Sequence, residues 1–383
     1  MKVTTMIQPN NWLGCLGGGQ LGKMFSIKAQ QLGYYVMVMD PNEDAPARSV
    51  ANKWICADYS DQKALHYIAK NCSGVTTEFE NVPAEVLGFF EKKLVVSPKQ
   101  GAVRISQDRI LEKEFLNKNG FKTSPFLSIK TGKEITNVDT ETFFPGFLKV
   151  SRFGYDGKGQ SLVDNTYSLR KSFERFGKTS CVLEKAIDLE KEISVILVRD
   201  FKGQIAFYPI IENRHRGGIL DMSVVPASIP ESVSEEAINI SHQLASKLNY
   251  VGVMCVEFFL SRKDGLLVNE IAPRPHNSGH FSLDACEVCQ FEQQVRALCQ
   301  IPLGSTKLKA SSAVMINLLG DIWSKGEPDW FDLFATSSAH LHLYGKRKAK
   351  NGRKMGHYTV LGESLETTKE EALKIRQSIN SKT

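Results

Sequence analysis

The chain has no long hydrophobic run. Its longest candidate, Val251 to Leu260, is ten residues and contains Glu257, about half of what a spanning helix needs. It also has little charge bias: 48 Lys+Arg stand against 42 Asp+Glu, a formal +6 over 383 residues. Without clustering, that is too modest to make nucleic acid the default partner. One lysine precedes Met6, and no apolar stretch of signal-peptide type follows. These absences lead us to expect a soluble cytoplasmic protein with neither membrane nor nucleic acid among its partners. The eight cysteines are scattered in apolar contexts, as reduced core thiols usually are. Cys286 and Cys289 make one CxxC, but no second pair or spaced histidines complete a zinc set, and a spacing of three suits neighbours on one helix face. A Walker loop is missing, as are internal repeats and low-complexity tracts.

What is present is a globular composition, 42% hydrophobic and 23% charged, long enough for two or three domains. Short apolar runs at 12–16, 35–39, 75–79 and 94–96 alternate with helical stripes such as Leu21, Phe25, Ala29 and Leu32, closed by Gly33. That alternation predicts a parallel, doubly wound α/β domain. Beyond residue 108 a helix through Leu111, Phe115 and Leu116 stops at Gly120. Strands are expected at 147–150, 181–184, 193–198, 205–211 and 313–318, with a helix around Ala237–Leu248, a hairpin over 251–271, a basic loop and a terminal helix.

Gly17-x-Gly19-x-x-Gly22 lies between a predicted strand and helix, with Asp40 ending the next strand. This is the context of a dinucleotide fingerprint, in which backbone N–H groups at a helix N-terminus cradle phosphate. The same turn binds any anion, so it marks an anion site more than a nicotinamide one.

The hairpin is more informative. With Arg262–Gly265 as its loop, Ser261 pairs with Leu266 and Glu257 falls opposite Glu270 on one sheet face. Two carboxylates so placed among Val, Phe, Leu and Ile repel each other and lose solvation. A divalent cation removes both penalties, hard oxygen ligands suit magnesium, and Asn269 supplies another oxygen. On this reading Glu270→Gln weakens magnesium binding while relieving repulsion in the metal-free protein. Lys149, at a strand end, is followed by a glycine-rich loop, residues 154–160, with Lys158; such a loop can close over phosphates.

Together these pieces resemble the ATP-grasp superfamily, and within it the 5-(carboxyamino)imidazole ribonucleotide synthases of purine biosynthesis. The resemblance rests on residues 17–24 (GGGQLGKM), 78–83 (EFENVP), 154–160 (GYDGKGQ), 269–280 (NEIAPRPHNSGH) and 352–357 (GRKMGH). It covers nearly the whole chain in order. Two positions depart from the pattern: Phe153 stands where the family usually has a first lid glycine, and Leu343 where Trp is common. The resemblance implies an N-terminal Rossmann-like (pre-ATP-grasp) domain over 1–107, an ATP-grasp domain over 108–305 with a lid near 124–187, and a small C-terminal α+β domain over 306–383. ATP (cosubstrate), bicarbonate and aminoimidazole ribonucleotide would give the carbamate, with ADP and phosphate released through carboxyphosphate. A homodimer is expected from the family.

The residues implied for ATP are Arg109 and Lys149 on the phosphates and Gly154, Tyr155, Asp156, Gly157, Lys158, Gly159 and Gln160 in the lid. Glu184, Lys185, Ala186 and Ile187 would meet the adenine, Glu192 the ribose, and His215 the nucleotide. Glu257 and Glu270 are the implied ligands of magnesium or manganese, with Asn269 beside them. The ribonucleotide would meet Gln20, Leu21, Glu80, Asn277, Lys346, Arg353 and Lys354, the last three from the basic loop 346–354. Arg274 and Tyr155 are implied in catalysis. His276 and His280 are candidates for proton transfer or for purely structural roles. Three rival readings stay open: a nicotinamide oxidoreductase using the N-terminal glycines, another ligase such as a formate-dependent glycinamide ribonucleotide transformylase, and an RNA-binding protein using residues 346–354.

Overall fold

The computed structural model describes residues 6–154 and 159–381. Five parallel strands build the first sheet, in the order Lys53–Cys56, Tyr35–Asp40, Trp12–Leu16, Gly74–Thr77, Val95–Val96. The central strands read as near-continuous apolar runs because helices cover both faces; Leu13, Leu16, Val36, Val38 and Met39 are all fully buried. Lys53–Cys56 is a half-exposed edge, and its weak apolar signal hid it from sequence reading. The expected strand 75–79 stops at Thr77, which frees Glu78 and Glu80 for other work.

The loop Gly17–Gly19 leads into helix Gln20–Gln31. Gly17 has φ +103°, a conformation that favours glycine. The helix N-terminus is already filled from within: the N–H groups of Gly19 and Gly22 donate to Glu78 at 2.5 and 2.6 Å, and that of Gly18 to Asp40 at 2.7 Å. The expected external anion site is therefore corrected. Its anion is the chain's own carboxylate.

The second sheet has nine strands among the described residues. Its path runs Gly265–Ala272, Gly252–Ser261, Leu189–Arg199, Ile211–Arg216, Ile219–Val225, Ser312–Leu319, Lys354–Gly362, Ala339–Leu343, with Ile205–Phe207 attached to Leu189–Arg199. The strand expected over 205–211 is interrupted at Tyr208–Ile210, where Pro209 has no N–H to give a ladder. The C-terminal strands continue this sheet rather than forming their own: Val225 pairs with Ala313 and Met222 with Ile316. Helices Glu231–Lys247 and Leu365–Ser381 cover parts of it. A third, four-stranded sheet, Phe126–Ile129, Cys181–Lys185, Gly146–Val150, Gln160–Val163, packs against helix Thr166–Arg175 where a lid is expected.

Helix Gln290–Cys299 fastens the first sheet to the second. Val295 and Leu298 join the core of Leu13 and Phe25, while buried Gln294 accepts from Val253 N–H (2.7 Å) and donates to Thr76 (3.1 Å). Cys286 and Cys289 are buried but fall between helices, not on one helix face; Cys56 is exposed. Among the described residues, no helix is long and apolar enough to cross a membrane.

Two glycine substitutions separate close packing from propensity. A Cβ on Gly22 would stand 2.5 Å from the Gly17 carbonyl oxygen, so Gly22→Ala is expected to cost about 1–3 kcal/mol. Gly101 lies in helix Gln100–Ser106 with nothing within 4 Å, so Gly101→Ala is expected to gain about 0.5–1 kcal/mol. Urea denaturation of the two variants checks both signs.

Candidate active site

A cavity of about 880 Å³ lies where the three sheets meet. One wall is the hairpin Gly252–Ala272, whose register differs from the expected one near the turn. Ser261 pairs with Gly265, at φ +74°, and Leu260 with Leu266. A β-bulge next to Glu257 then inserts one residue and restores Glu257 opposite Glu270. Asn269 is the inserted residue, so two side chains oppose one at this point.

Helix Arg109–Lys118 holds the bulge from behind. Lys113 Nζ donates to the Asn269 carbonyl (2.8 Å), and the Ile271 N–H donates to Glu112 (2.7 Å). Arg109 pairs with Glu270 at 2.6 Å. Glu112 and Lys113 are only 2% and 1% exposed, whereas Leu111, expected in the apolar stripe, is 40% exposed. Sequence reading missed both charged residues; a buried Glu-Lys pair on a helix has no periodicity signal of its own.

The two facing carboxylates are driven apart. Burial and then Glu270 push the Glu257 carboxyl up. Burial acts the same way on Glu270 but is outweighed by Arg109, which holds that carboxyl low. The Asn269 Oδ1 is buried with no hydrogen-bond partner. One disfavoured carboxylate, one stable carboxylate and one orphaned oxygen are a donor set that fits a hard divalent cation.

On the side of the four-stranded sheet, Lys149 and Lys113 form ion pairs with Glu184 at 3.1 and 3.3 Å. Burial would raise the Glu184 carboxyl, but Lys113, Lys149 and Arg109 bring it to about 2. The N–H groups of Lys185 and Ala186 donate to Pro125 and Pro145, and Ser124 donates to the Lys185 carbonyl. His215 Nδ1 lies 2.5 Å from Glu192; burial lowers the His215 pKa, but Glu192 more than compensates and raises it. Gly154, Gly159, Gln160, Ile187, Asn269 and His215 line the cavity with these groups, while Ala186 does not. Tyr155, Asp156, Gly157 and Lys158 lie outside the described residues. Phe153 has φ +63° and is 67% exposed: its backbone takes the left-handed conformation that glycine adopts freely and other residues adopt at a cost.

The same cavity is also lined by Gln20, Leu21, Glu80, Arg274, His276, Asn277 and Lys354. Arg274 forks onto Glu80 through Nε and Nη2, and both amide atoms of Asn277 are buried without a partner. Lys346 and Arg353 stand outside the lining. Lys346 Nζ donates to the Lys354 carbonyl (2.7 Å), and Arg353 donates to that of Lys348 (2.9 Å). His276 Nε2 lies 3.1 Å from Glu257; burial, then Arg274, hold His276 well below the usual histidine range. His280 is fully buried against Gln290, Phe291 and His357, outside the cavity lining, which favours its structural reading.

Family models match three stretches: a ribonucleotide synthetase preATP-grasp domain over 11–107, an ATP-grasp domain over 114–291 and a phosphoribosylaminoimidazole carboxylase C-terminal domain over 313–371. N5-carboxyaminoimidazole ribonucleotide synthase of Bacillus subtilis is 40% identical over 356 residues, covering 93% of each chain. The crystal structure of N5-carboxyaminoimidazole synthetase from Staphylococcus aureus complexed with ADP is similar at TM-score 0.90 and 38% identity, over 97% of this chain and 98% of that one. The synthase of Aspergillus clavatus, in complex with ADP and 5-aminoimidazole ribonucleotide, is similar at TM-score 0.87 and 26% identity, over 98% and 100%.

The carboxylate pair makes a prediction about the metal-free protein, and it corrects the expectation for Glu270→Gln. The Glu257 pKa is raised on folding, so its stabilising share is complete below the unfolded pKa and is lost as pH rises toward neutrality. The Glu270 pKa is lowered, so its share is present above the unfolded pKa and is lost as pH falls. Glu257→Gln should therefore hold or raise stability at neutral pH and flatten the decline from the ordinary carboxylate range to neutrality. Glu270→Gln should instead cost about 2 kcal/mol, a buried-pair penalty discounted for partial exposure, because it strands Arg109. Denaturation of both variants across pH, without divalent cations, decides; the reverse order of stabilities would refute the assignment.

Proposed function

The chain belongs to the N5-carboxyaminoimidazole ribonucleotide synthase family of ATP-grasp ligases, and on that premise we propose that it carboxylates 5-aminoimidazole ribonucleotide on its exocyclic amine. ATP and bicarbonate are consumed and ADP and phosphate released, a step of purine biosynthesis. The observation that carries this reading is a single cavity lined both by the carboxylate pair and by Arg274, Asn277 and Lys354.

Lys149 and Arg109 orient the ATP phosphates, exchanging part of their present pairing with Glu184 and Glu270 for the nucleotide. Ile187, whose N–H makes no backbone hydrogen bond among the described residues, meets the adenine, and the ribose hydroxyls meet Glu192. Magnesium or manganese would be held by Glu257, Glu270 and Asn269 and would neutralise the transferring phosphoryl group. Transfer to a bicarbonate oxygen gives carboxyphosphate, which the lid shields from water. Arg274 stabilises that anion, and the amine nitrogen attacks its carboxyl carbon as phosphate leaves and a nitrogen proton is lost. Lys354, with Lys346 and Arg353 behind it, receives the phosphate of the ribonucleotide. Tyr155 belongs to this reading through its motif alone. A homodimer in the cytoplasm is part of the same proposal.

The nicotinamide reading loses its support because the glycine-loop N–H groups are spent on Glu78 and Asp40. Purified protein should release phosphate from ATP only when both aminoimidazole ribonucleotide and bicarbonate are present; turnover with formate in place of bicarbonate would sink the proposal. Lys354→Ala should raise KM for the ribonucleotide on the order of ten- to a hundred-fold, the worth of a charge-assisted contact, and barely move KM for ATP. Arg353→Ala should act more weakly, since it stands outside the lining.

The lid supplies a separate test. Phe153→Gly removes a left-handed non-glycine residue, worth about 1 kcal/mol before the entropy of glycine is counted. The melting temperature should hold, and the ratio of phosphate released to product formed should not rise. Poorer coupling in the variant would mean that Phe153 itself seals the site.

A further inference from the structure

A row of buried polar side chains crosses the large sheet beside the carboxylate pair. Glu270 faces Glu257, Glu257 faces Ser194, and Asn213 faces Ser223 in register. Opposed residues share a face, so these groups form one stripe over five strands. Ser194, Ser223 and Ser278 are fully buried and Asn213 is 6% exposed. Four polar residues at that depth cost desolvation unless each is satisfied.

They satisfy one another in sequence. Ser223 Oγ donates to Asn213 Oδ1 (2.9 Å), and Asn213 Nδ2 donates to Ser194 Oγ (2.9 Å). Ser194 and Ser278 hydroxyls lie 2.9 Å apart, and Ser278 Oγ lies 2.9 Å from His276 Nδ1. The Ser278 backbone N–H also points at His276 Nδ1, at 3.3 Å. A backbone N–H can only donate, so Nδ1 must accept, and the Ser278 hydroxyl must turn its proton to it. Ser278 Oγ then needs a donor, which Ser194 supplies, and Ser194 in turn accepts from the Asn213 amide. Turning that amide over would take the Ser194 proton away and leave two hydroxyl oxygens facing each other without one. Only one direction gives every contact a single proton. Buried Gln290 grips the His276 main chain on both sides, accepting from its N–H (2.8 Å) and donating to its carbonyl (2.7 Å). The ring therefore has one orientation, and its remaining proton sits on Nε2, facing Glu257 at 3.1 Å.

We propose that Ser223, Asn213, Ser194 and Ser278 are positioning residues: a one-way hydrogen-bond chain that reinforces the Ser278 backbone N–H in holding the tautomer of His276 and, through its Nε2–H, the direction of the Glu257 carboxylate. The kinetic part of this proposal rests on Glu257 serving as a cation ligand; the tautomer does not. Outer groups that orient metal ligands typically carry ten- to a hundred-fold in affinity or activity.

The test uses the full-length protein, labelled with nitrogen-15 in histidine, without nucleotide or divalent cation. The His276 signal is the one lost in His276→Ala. In the unsubstituted protein it should show a protonated Nε2 and a bare Nδ1; a protonated Nδ1 overturns the proposal. Ser194→Ala should mix the two tautomers and raise the magnesium concentration for half-maximal turnover about ten-fold, with kcat recovered at saturation. In a His276→Ala background Ser194→Ala should add nothing, because the chain acts only through the ring. An equal penalty in both backgrounds would reduce the stripe to packing and overturn the proposal. Ser278→Ala, which keeps the backbone donor, should shift the same readouts less and serves where Ser194→Ala folds poorly. Magnesium-independent turnover with Nε2 protonated would overturn the cation reading of Glu257 and leave the chain standing.

Discussion

Competition of acidic groups for too few cations organises the centre of this molecule. Around the Asn269 bulge stand four carboxylates, Glu112, Glu184, Glu257 and Glu270, and three cations, Arg109, Lys113 and Lys149. The cations attach to Glu184 and Glu270, whose carboxyls fall to low pKa. The other two pay for the imbalance: burial, reinforced by Glu270, pushes Glu257 up and Glu112 to about 8. On the proposed reading, a divalent ion beside Glu257 and Glu270 would remove that repulsion, and phosphates would take over Arg109 and Lys149.

The N-terminal domain shows the opposite tactic. Its glycine loop has the spacing of a phosphate cradle, yet Glu78 occupies it, with a carboxyl raised to about 7 by burial despite the two N–H groups it accepts. Filling the cradle turns a binding element into a brace. Glu78 fixes the start of the segment that carries Glu80, and Glu80 in turn holds Arg274 in the cavity lining. The glycines are still required, now because a Cβ on Gly19 would lie 2.4 Å from the Glu78 carboxylate.

Much of this was legible from residue order, and the failures have identifiable causes. The strand–helix alternation of the first hundred residues and the carboxylate pair follow from period and spacing. Glu257 meets Glu270 as expected, but by a different route: a one-residue shift at the Gly265 turn is cancelled by the bulge at Asn269. Strand pairing from a turn cannot see a bulge, since the extra residue leaves no mark on the alternation. Strands 339–343 and 354–362 escaped because one is half-exposed and the other begins in the basic loop. The buried charges of Glu112, Lys113 and Glu78 escaped for a deeper reason. Each is stabilised by a partner distant in sequence, and no local pattern encodes that.

Continuity of the large sheet explains how Glu270 and Lys354 come to line one cavity. From Gly265–Ala272 to Lys354–Gly362 there are six steps between neighbouring strands. Adjacent strands rotate by about 20–25°, so six steps accumulate roughly 120–150°. A flat sheet would set Lys354 and Glu270 about six strand spacings of 4.8 Å apart, close to 30 Å, facing the same way. The twisted sheet curls, and both residues line one cavity. Glu270 and Lys354 are therefore tied together by backbone hydrogen bonds along a single sheet, while the strands that flank Phe153 belong to a separate four-stranded sheet. On the proposed reaction, substrate spacing would then belong to the large sheet and solvent exclusion to the small one, so that a residue such as Phe153 could vary without disturbing the frame that aligns the reactants.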